Sequence, residues 1–160
     1  MKKTLTLTLL LTAALLAARQ DTSHHDGVNN RGDHVMGFSH EKATHHFLLW
    51  KDGGVIQVEA NSADDTETRD AIRFHLQHIA GMFAAGNFQA PMLIHGQTPP
   101  GVPVMIRLKD QIAYTFAATG RGGRVLIATS NPEALKAIQE FLKFQIADHQ
   151  TGDPLTVSPR

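Results

Sequence analysis

The stretch THHFLLWKDGGVIQVEA, residues 44–60, decides the fold of this chain. Its first seven residues are mostly aromatic and apolar, a Gly-Gly turn signal follows, and the last six alternate so that Val55, Gln57 and Glu59 fall on one side. This pattern predicts two strands joined by a turn. Acidic residues then open a segment that ends at Gly86, which predicts a helix because negative charge is favoured at a helix N-terminus.

The same order returns in the second half of the chain. Residues 111–118 and 124–129 are typical of strands around the turn TGRGG, and Pro132 suits the first turn of a helix that runs to about residue 149. We therefore predict an α+β fold of two ββα units, with an antiparallel sheet and two helices packed on one of its faces.

The predicted organisation has one domain between irregular ends. The domain spans residues 36–150 and is made of three parts, a ββα unit at 44–86, a Pro-rich linker at 87–110 and a second unit at 111–149. The polar residues 21–35 predict a disordered linker, and residues 151–160 predict a flexible tail.

The N-terminus has the pattern of an exported protein. Lys2 and Lys3 precede an apolar run over residues 5–16 with small residues at 17–18, which predicts a signal peptide over residues 1–20. The expected location is periplasmic or extracellular. No second apolar run follows, so we expect no membrane span in the mature chain.

The amino-acid composition limits which partners and which kinds of metal site are expected. The 15 basic and 15 acidic residues balance, and no basic stripe indicates a nucleic-acid partner. Cysteine is absent, so thiolate metal sites and disulfides are excluded. Ten histidines and five methionines remain as the unusual feature. Imidazole binds copper, zinc, nickel or iron, and the thioether of methionine favours Cu(I).

The first predicted helix carries the strongest group of candidate ligands. His75, His78 and Met82 are spaced i, i+3, i+7 and so share one stripe of the helix. The aligned positions in the second unit are Phe141 and Phe144, which places the histidines where a core is expected. Buried imidazoles need partners, and either a metal ion or a hydrogen-bond network would supply them.

Further candidates lie on the first strand and on the linker. His45 and His46 are adjacent in a predicted strand, so only one of them faces the helices. The linker supplies Met92, His95 and Met105, with Met36 further upstream. Methionines of this kind are more often core residues than ligands. The histidines at 24, 25 and 34 fall in the predicted disordered linker and are set aside.

The segments MGFSHEKATHHF (36–47) and GVPVM (101–105) resemble a family of uncharacterised exported bacterial proteins over about residues 36–153. Some members carry an aspartate carbamoyltransferase label, which this sequence does not support because it is too short and lacks the S-T-R-T-R motif. The resemblance implies no biochemical function. In those relatives the position of His40 is often Gln, which disfavours His40 as a ligand.

Three hypotheses follow. The first is a metal-binding protein that handles copper, or less readily zinc, through His75, His78 and one of the strand histidines, with methionine as a soft ligand. The second is a small enzyme that uses the same cluster with a metal or haem, with Glu41 or Asp70 as a carboxylate. The third is a structural or interaction module without a metal.

Overall fold

The protein forms a four-stranded antiparallel sheet with two long helices on one face, which confirms the predicted α+β fold. The computed structural model describes residues 24–159, and the predicted signal peptide lies outside that range. The strands are β1 (Ala43–Trp50), β2 (Gly53–Ala60), β3 (Ala113–Ala118) and β4 (Gly122–Ala128), in the spatial order β1-β2-β4-β3. The helices are α1 (residues 24–36), α2 (Thr66–Ala84), α3 (Gln89–His95), α4 (Val102–Arg107) and α5 (Pro132–Asp148).

The inner face of the sheet is apolar because of strand register. Phe47 pairs with Ile56, Ile56 with Val125, and Val125 with Phe116, so one row of apolar side chains crosses all four strands. The two long helices bury matching apolar residues at helical spacing against this face, namely Ile72, Leu76, Ile79 and Phe83 of α2 and Ile138, Phe141 and Leu142 of α5. Burial of a side chain of this size stabilises the fold by about 1.5–3 kcal/mol.

Each long helix covers the strands of the other unit. Helix α2 follows β2 in the chain but packs mainly over β4 and β3, whereas α5 follows β4 and packs over β1 and β2. The two ββα units are therefore interlocked, and neither one closes its own core.

The double glycines belong to strands rather than to turns. Strands β2 and β4 begin at Gly53 and Gly122, two residues earlier than the sequence predicts. A Cβ at Gly54 would lie 2.4 Å from the carbonyl oxygen of Leu48, and one at Gly122 would lie 2.1 Å from that of Val58. The backbones approach so closely that only glycine fits at these positions.

The predicted disordered linker at 21–35 needs correction from residue 24 onwards, because residues 24–36 form helix α1, whereas residues 21–23 lie outside the described residues. Val28, Gly32 and Met36 recur every four residues and make one buried face. Arg31 Nε donates a hydrogen bond to the Ile94 carbonyl at 2.7 Å, and Asp33 accepts one from the His40 backbone at 2.7 Å. The polar composition of this segment predicts disorder, but its contacts with the rest of the fold hold it as a helix.

The other irregular segments are also more ordered than the sequence predicts. Helices α3 and α4 interrupt the linker at 87–110, and α4 packs on α5. The predicted flexible tail lies along the free edge of β1. There Asp153 accepts a hydrogen bond from the Phe47 backbone at 2.9 Å, and Ser158 donates its backbone N–H to Leu49. Within residues 24–159, no helix combines the length and apolar character needed to cross a membrane.

Candidate functional site

Two adjoining cavities lie between α1, the start of β1 and the C-terminal end of α5. The outer cavity has a volume of about 220 Å³ and reaches polar side chains such as His25 and Asn29. The inner cavity, of about 60 Å³, extends towards α2 and α3. Three residues line both cavities, and we call them the neck: Met36, His45 and His149.

Local structure explains how the neck is assembled. His45 alternates with Ala43 and Phe47 on the inner face of β1, so its ring points towards the helices. His149 is the C-cap residue of α5, at the point where the helix stops and the chain turns back towards β1. Met36 is the last residue of α1 and is 9% exposed.

The two neck imidazoles face each other in a defined way. The ring centroids of His45 and His149 are 5.7 Å apart and their planes differ by only 4°. His75 of α2 stands nearby, on the other side of Phe38, whose ring is 6.1 Å from that of His45 and 5.9 Å from that of His75. The rings of His95 and His149 meet edge to face at 5.0 Å.

Burial keeps these imidazoles neutral at pH 7. Desolvation, with repulsion from His75, lowers the pKa of His45 to about 4. Desolvation and His78 lower the pKa of His75 to about 4, and desolvation with His45 lowers the pKa of His149 to about 3. A neutral imidazole has one ring nitrogen with a free lone pair, which is the form that binds a metal ion.

The ring nitrogens of these three histidines have no protein partner within the described part of the chain. No hydrogen bond joins the imidazole of His45, His75 or His149 to another residue of 24–159, although other histidines there do make such bonds. All three rings are half-buried, so solvent or a ligand in the cavities can reach their free nitrogens. The rings are therefore available to bind a ligand there.

A hydrogen-bond network supports the neck from behind. Asp148 accepts hydrogen bonds from His95 Nδ1 and, at 2.8 Å, from His24 Nε2. Burial alone would raise the pKa of Asp148, but these two bonds outweigh it and hold the pKa below its ordinary value. His95 Nε2 lies 2.9 Å from Gln145 Oε1. The network joins α1, α3 and α5 beside His149 and so fixes the position of that ring.

The structure brings some of the predicted site residues together and separates others. His45, His75 and His95 line the inner cavity. His46 lies on the opposite face of the sheet, where its Nδ1 is 2.9 Å from Asp153 Oδ1. His78 and Met82 line a groove on the outside of α2, beside a Phe74 that is 78% exposed.

The linker methionines and the candidate carboxylates also lie away from the cavities. Met92 is 38% exposed on α3, whereas Met105 is fully buried in the core. Glu41 and Asp70 are exposed, and Asp70 is paired with Arg69. Over residues 24–159, no group of three or more His, Asp or Glu side chains is arranged to hold a metal ion.

One neck residue, His149, is absent from the sequence candidates, and the helix that positions another, Met36, was not predicted. His149 falls at the end of a helix, where hydrophobic periodicity no longer indicates which way a side chain points. Met36 belongs to α1, whose polar composition hides its one apolar face. The spacing of Val28, Gly32 and Met36 was the available signal for that helix.

Comparisons with known proteins give no match. No family model matches the chain, and neither a curated protein nor a solved structure resembles it significantly.

Proposed function

We propose that this protein binds one Cu(I) ion at the neck, through His45, His149 and Met36. The observation that carries the proposal is the pair of neutral, nearly parallel imidazoles of His45 and His149. Neither ring has a hydrogen-bond partner among the described residues, and the buried thioether of Met36 lines the same cavities. Two imidazoles and a thioether form a soft to borderline ligand set, and such sets select Cu(I). In this proposal the protein is exported and takes part in copper handling.

The surroundings of the neck favour a singly charged ion. Most of the residues that line the inner cavity are apolar, and the cost of burying an ion in such a medium rises steeply with its charge. Zinc usually takes four nitrogen, thiolate or carboxylate ligands, which is more than the neck offers. Haem is larger than the drug-sized ligands that occupy about 300–1,000 Å³, whereas the outer cavity has about 220 Å³.

His95 acts in this proposal as a positioning residue and not as a ligand. Both of its ring nitrogens already contact oxygen atoms, those of Asp148 and Gln145. Residues behind the ligands of a metal site commonly fix ligand orientation, and their loss typically lowers metal affinity by about 10–100-fold. His75 also lines the inner cavity and is a candidate for a further ligand.

The test is competition for Cu(I) between the metal-free protein and a chromogenic chelator such as bicinchoninate. We expect one bound ion per chain. Replacement of both neck histidines, as His45→Phe with His149→Phe, keeps aromatic rings of similar size and removes both nitrogen ligands, so binding should be lost. Met36→Leu keeps the volume of the side chain and removes only the sulfur, so affinity for Cu(I) should fall.

The matched control is the double variant His78→Phe with Met82→Leu. It makes the same kinds of substitution on the outside of α2, in residues that the sequence alone selects as ligands. Its Cu(I) affinity should equal that of the unaltered protein. The proposal fails if the unaltered protein binds no Cu(I) more tightly than millimolar, or if only the control variant loses binding.

Export is tested separately. Expression with residues 1–20 in a bacterial host, followed by N-terminal sequencing, should find the mature chain outside the cytoplasm, cut near residues 17–20. An intact N-terminus on a cytoplasmic chain would contradict this part of the proposal.

A further inference from the structure

We propose that the outer face of α2 pairs with the same face of a second copy of this chain, with the two helices antiparallel about a twofold axis near His78. The inference goes beyond the copper site and does not depend on it, because no residue of the neck lies on this face.

The first observation is the spacing of the residues that point away from the sheet. Along α2 and its C-cap they follow one another at intervals that alternate between three and four residues, and we call these five the seam: Ala71, Phe74, His78, Gly81 and Ala85. This is the interval at which one helix meets another along its length. All of the seam except Ala71 is exposed, and Phe74 is 78% exposed.

The second observation is the lack of charge around the seam. Residues 74–106 contain no Asp, Glu, Lys or Arg, although the whole chain has 15 basic and 15 acidic residues. The groove beside Phe74 is lined by other neutral side chains, among them Gln77 and Met82. Interface cores are depleted of charged residues and enriched in aromatic residues and methionine. The composition of this face is therefore that of an interface.

The third observation is that the seam is complementary to itself. Phe74 and Gly81 lie on opposite sides of His78 along the helix, so an antiparallel copy sets each Phe74 over Gly81 of the other copy. A Cβ at Gly81 would meet nothing within 4 Å, so open space is available there for the ring. The same pairing sets Ala71 against Ala85. A twofold interface uses one surface twice in this way.

Charges at the two ends of α2 favour the antiparallel direction. Glu67 precedes the seam in the first turn of α2 and has no ion pair among residues 24–159. At the other end, a Cβ at Gly86 would lie 3.1 Å from Lys109 Cδ, so the Lys109 side chain passes the end of the helix. Lys109 Nζ contacts the exposed Asp110, and it stays accessible to a second carboxylate. An antiparallel pair brings Glu67 of each copy towards Lys109 of the other and opposes the two helix dipoles.

The size of the face predicts a weak dimer. Helix α2 has 19 residues and is about 28 Å long. One phenylalanine buries about 150–250 Å², and the other seam residues are smaller, so the pair of helices stays below the roughly 1,200 Å² of a stable interface. We therefore expect a reversible dimer with a micromolar Kd.

The test is sedimentation equilibrium of the purified protein, with a chelator present so that no metal ion bridges the two His78 rings. The concentration runs from about 5 to 500 µM, a range set by the weak affinity of small interfaces. The average mass should rise from that of one chain towards that of two. Phe74→Ser leaves helix propensity nearly unchanged and should raise Kd by at least about tenfold. The matched control is Leu155→Ser, at an apolar residue of the tail that is 56% exposed, and its Kd should not change.

Two further variants separate weaker pairing from loss of folding. Gly81→Gln introduces a better helix former, so the urea midpoint should not fall, but the new side chain fills the space for Phe74 and should raise Kd. Glu67→Lys and Lys109→Glu should each raise Kd, and the double variant should recover much of the affinity.

Each outcome decides for or against the proposed pairing. A chain that stays monomeric over the whole range overturns the inference. A dimer that Phe74→Ser leaves intact, or that Leu155→Ser weakens equally, forms through another surface and also overturns it. A double variant that associates no better than either single variant overturns the antiparallel direction, whereas recovery supports it.

Discussion

The protein should lose stability steeply as the pH falls from about 6.5 towards 4. Three imidazoles are responsible, because burial lowers the pKa of His45 and His75 to about 4 and that of His149 to about 3. In the unfolded chain these groups return to an ordinary pKa of about 6.5. Between the two values the unfolded state binds more protons, so the free energy of unfolding falls with falling pH.

The slope follows from the number of protons. Each proton taken up only on unfolding lowers the free energy of unfolding by about 1.4 kcal/mol per pH unit. Three groups set an upper limit of about 4 kcal/mol per unit, which is large against a typical total of about 5–15 kcal/mol. The limit applies while α1 stays docked over the outer cavity. Detachment of α1 would hydrate the rings and reduce the loss.

The assay is urea unfolding at steps between about pH 7.5 and 4.5, a range set by the ordinary and lowered histidine pKa values. The variant with His45→Phe and His149→Phe should show a slope reduced by about two thirds. Carboxylates such as Asp148, whose pKa is lowered, destabilise the fold only at more acidic pH and do not confuse the comparison. A free energy of unfolding that stays constant from pH 6.5 to 4.5 would refute the argument.

Three further expectations can be checked directly. Cu(I) affinity should stay constant from pH 8 to about 5, because protons do not compete for imidazoles whose pKa is near 4, whereas two ordinary histidines would lose affinity below about 6.5. Gly101→Ala should lower the free energy of unfolding by at least about 2 kcal/mol in urea, since Gly101 has φ 82° and a Cβ there would lie 2.1 Å from the Ala137 carbonyl oxygen; an unchanged midpoint would contradict this. Asp148→Asn should weaken the docking of α1, seen as faster trypsin cleavage at Arg31 in native buffer, and an unchanged rate would show that the Asp148 network does not hold the helix.

The fold could be predicted because the sequence signals for its strands and long helices each lie within a short stretch of the chain. Alternation in β2, the glycine pairs at the starts of β2 and β4, and the capped start of α5 each appear within a few residues, and the repeated order of strands and helices defines the two units. What the sequence missed is the contribution of α1. Helix α1 has few apolar residues, and these residues are buried only because the helix packs against the start of β1 and the end of α5.

The site could be predicted only in part, for a geometric reason. A strand fixes side-chain direction strictly, so one of His45 and His46 had to face the helices, and His45 does. A helix fixes direction less strictly, because residues three apart differ by about 60° around its axis. His75 therefore lies at the inner edge of the apolar face of α2, whereas His78 lies outside it. His149 depends on how α5 ends, which no periodic pattern encodes.

The interlocking of the two ββα units has a consequence for how such a chain can be divided. A single unit, residues 43–84, would present the apolar face of its hairpin without a cover, because α2 lies mainly over β4 and β3. Two separate copies of one unit could satisfy each other by exchanging helices about a twofold axis. The strand order β1-β2-β4-β3, with β2 antiparallel to β4 at the centre, is the arrangement that such a dimer would have, and here the segment at 87–110 joins the two halves. That joining leaves the two halves free to differ, so one half can place a histidine where the other keeps a phenylalanine, as His75 and Phe141 do.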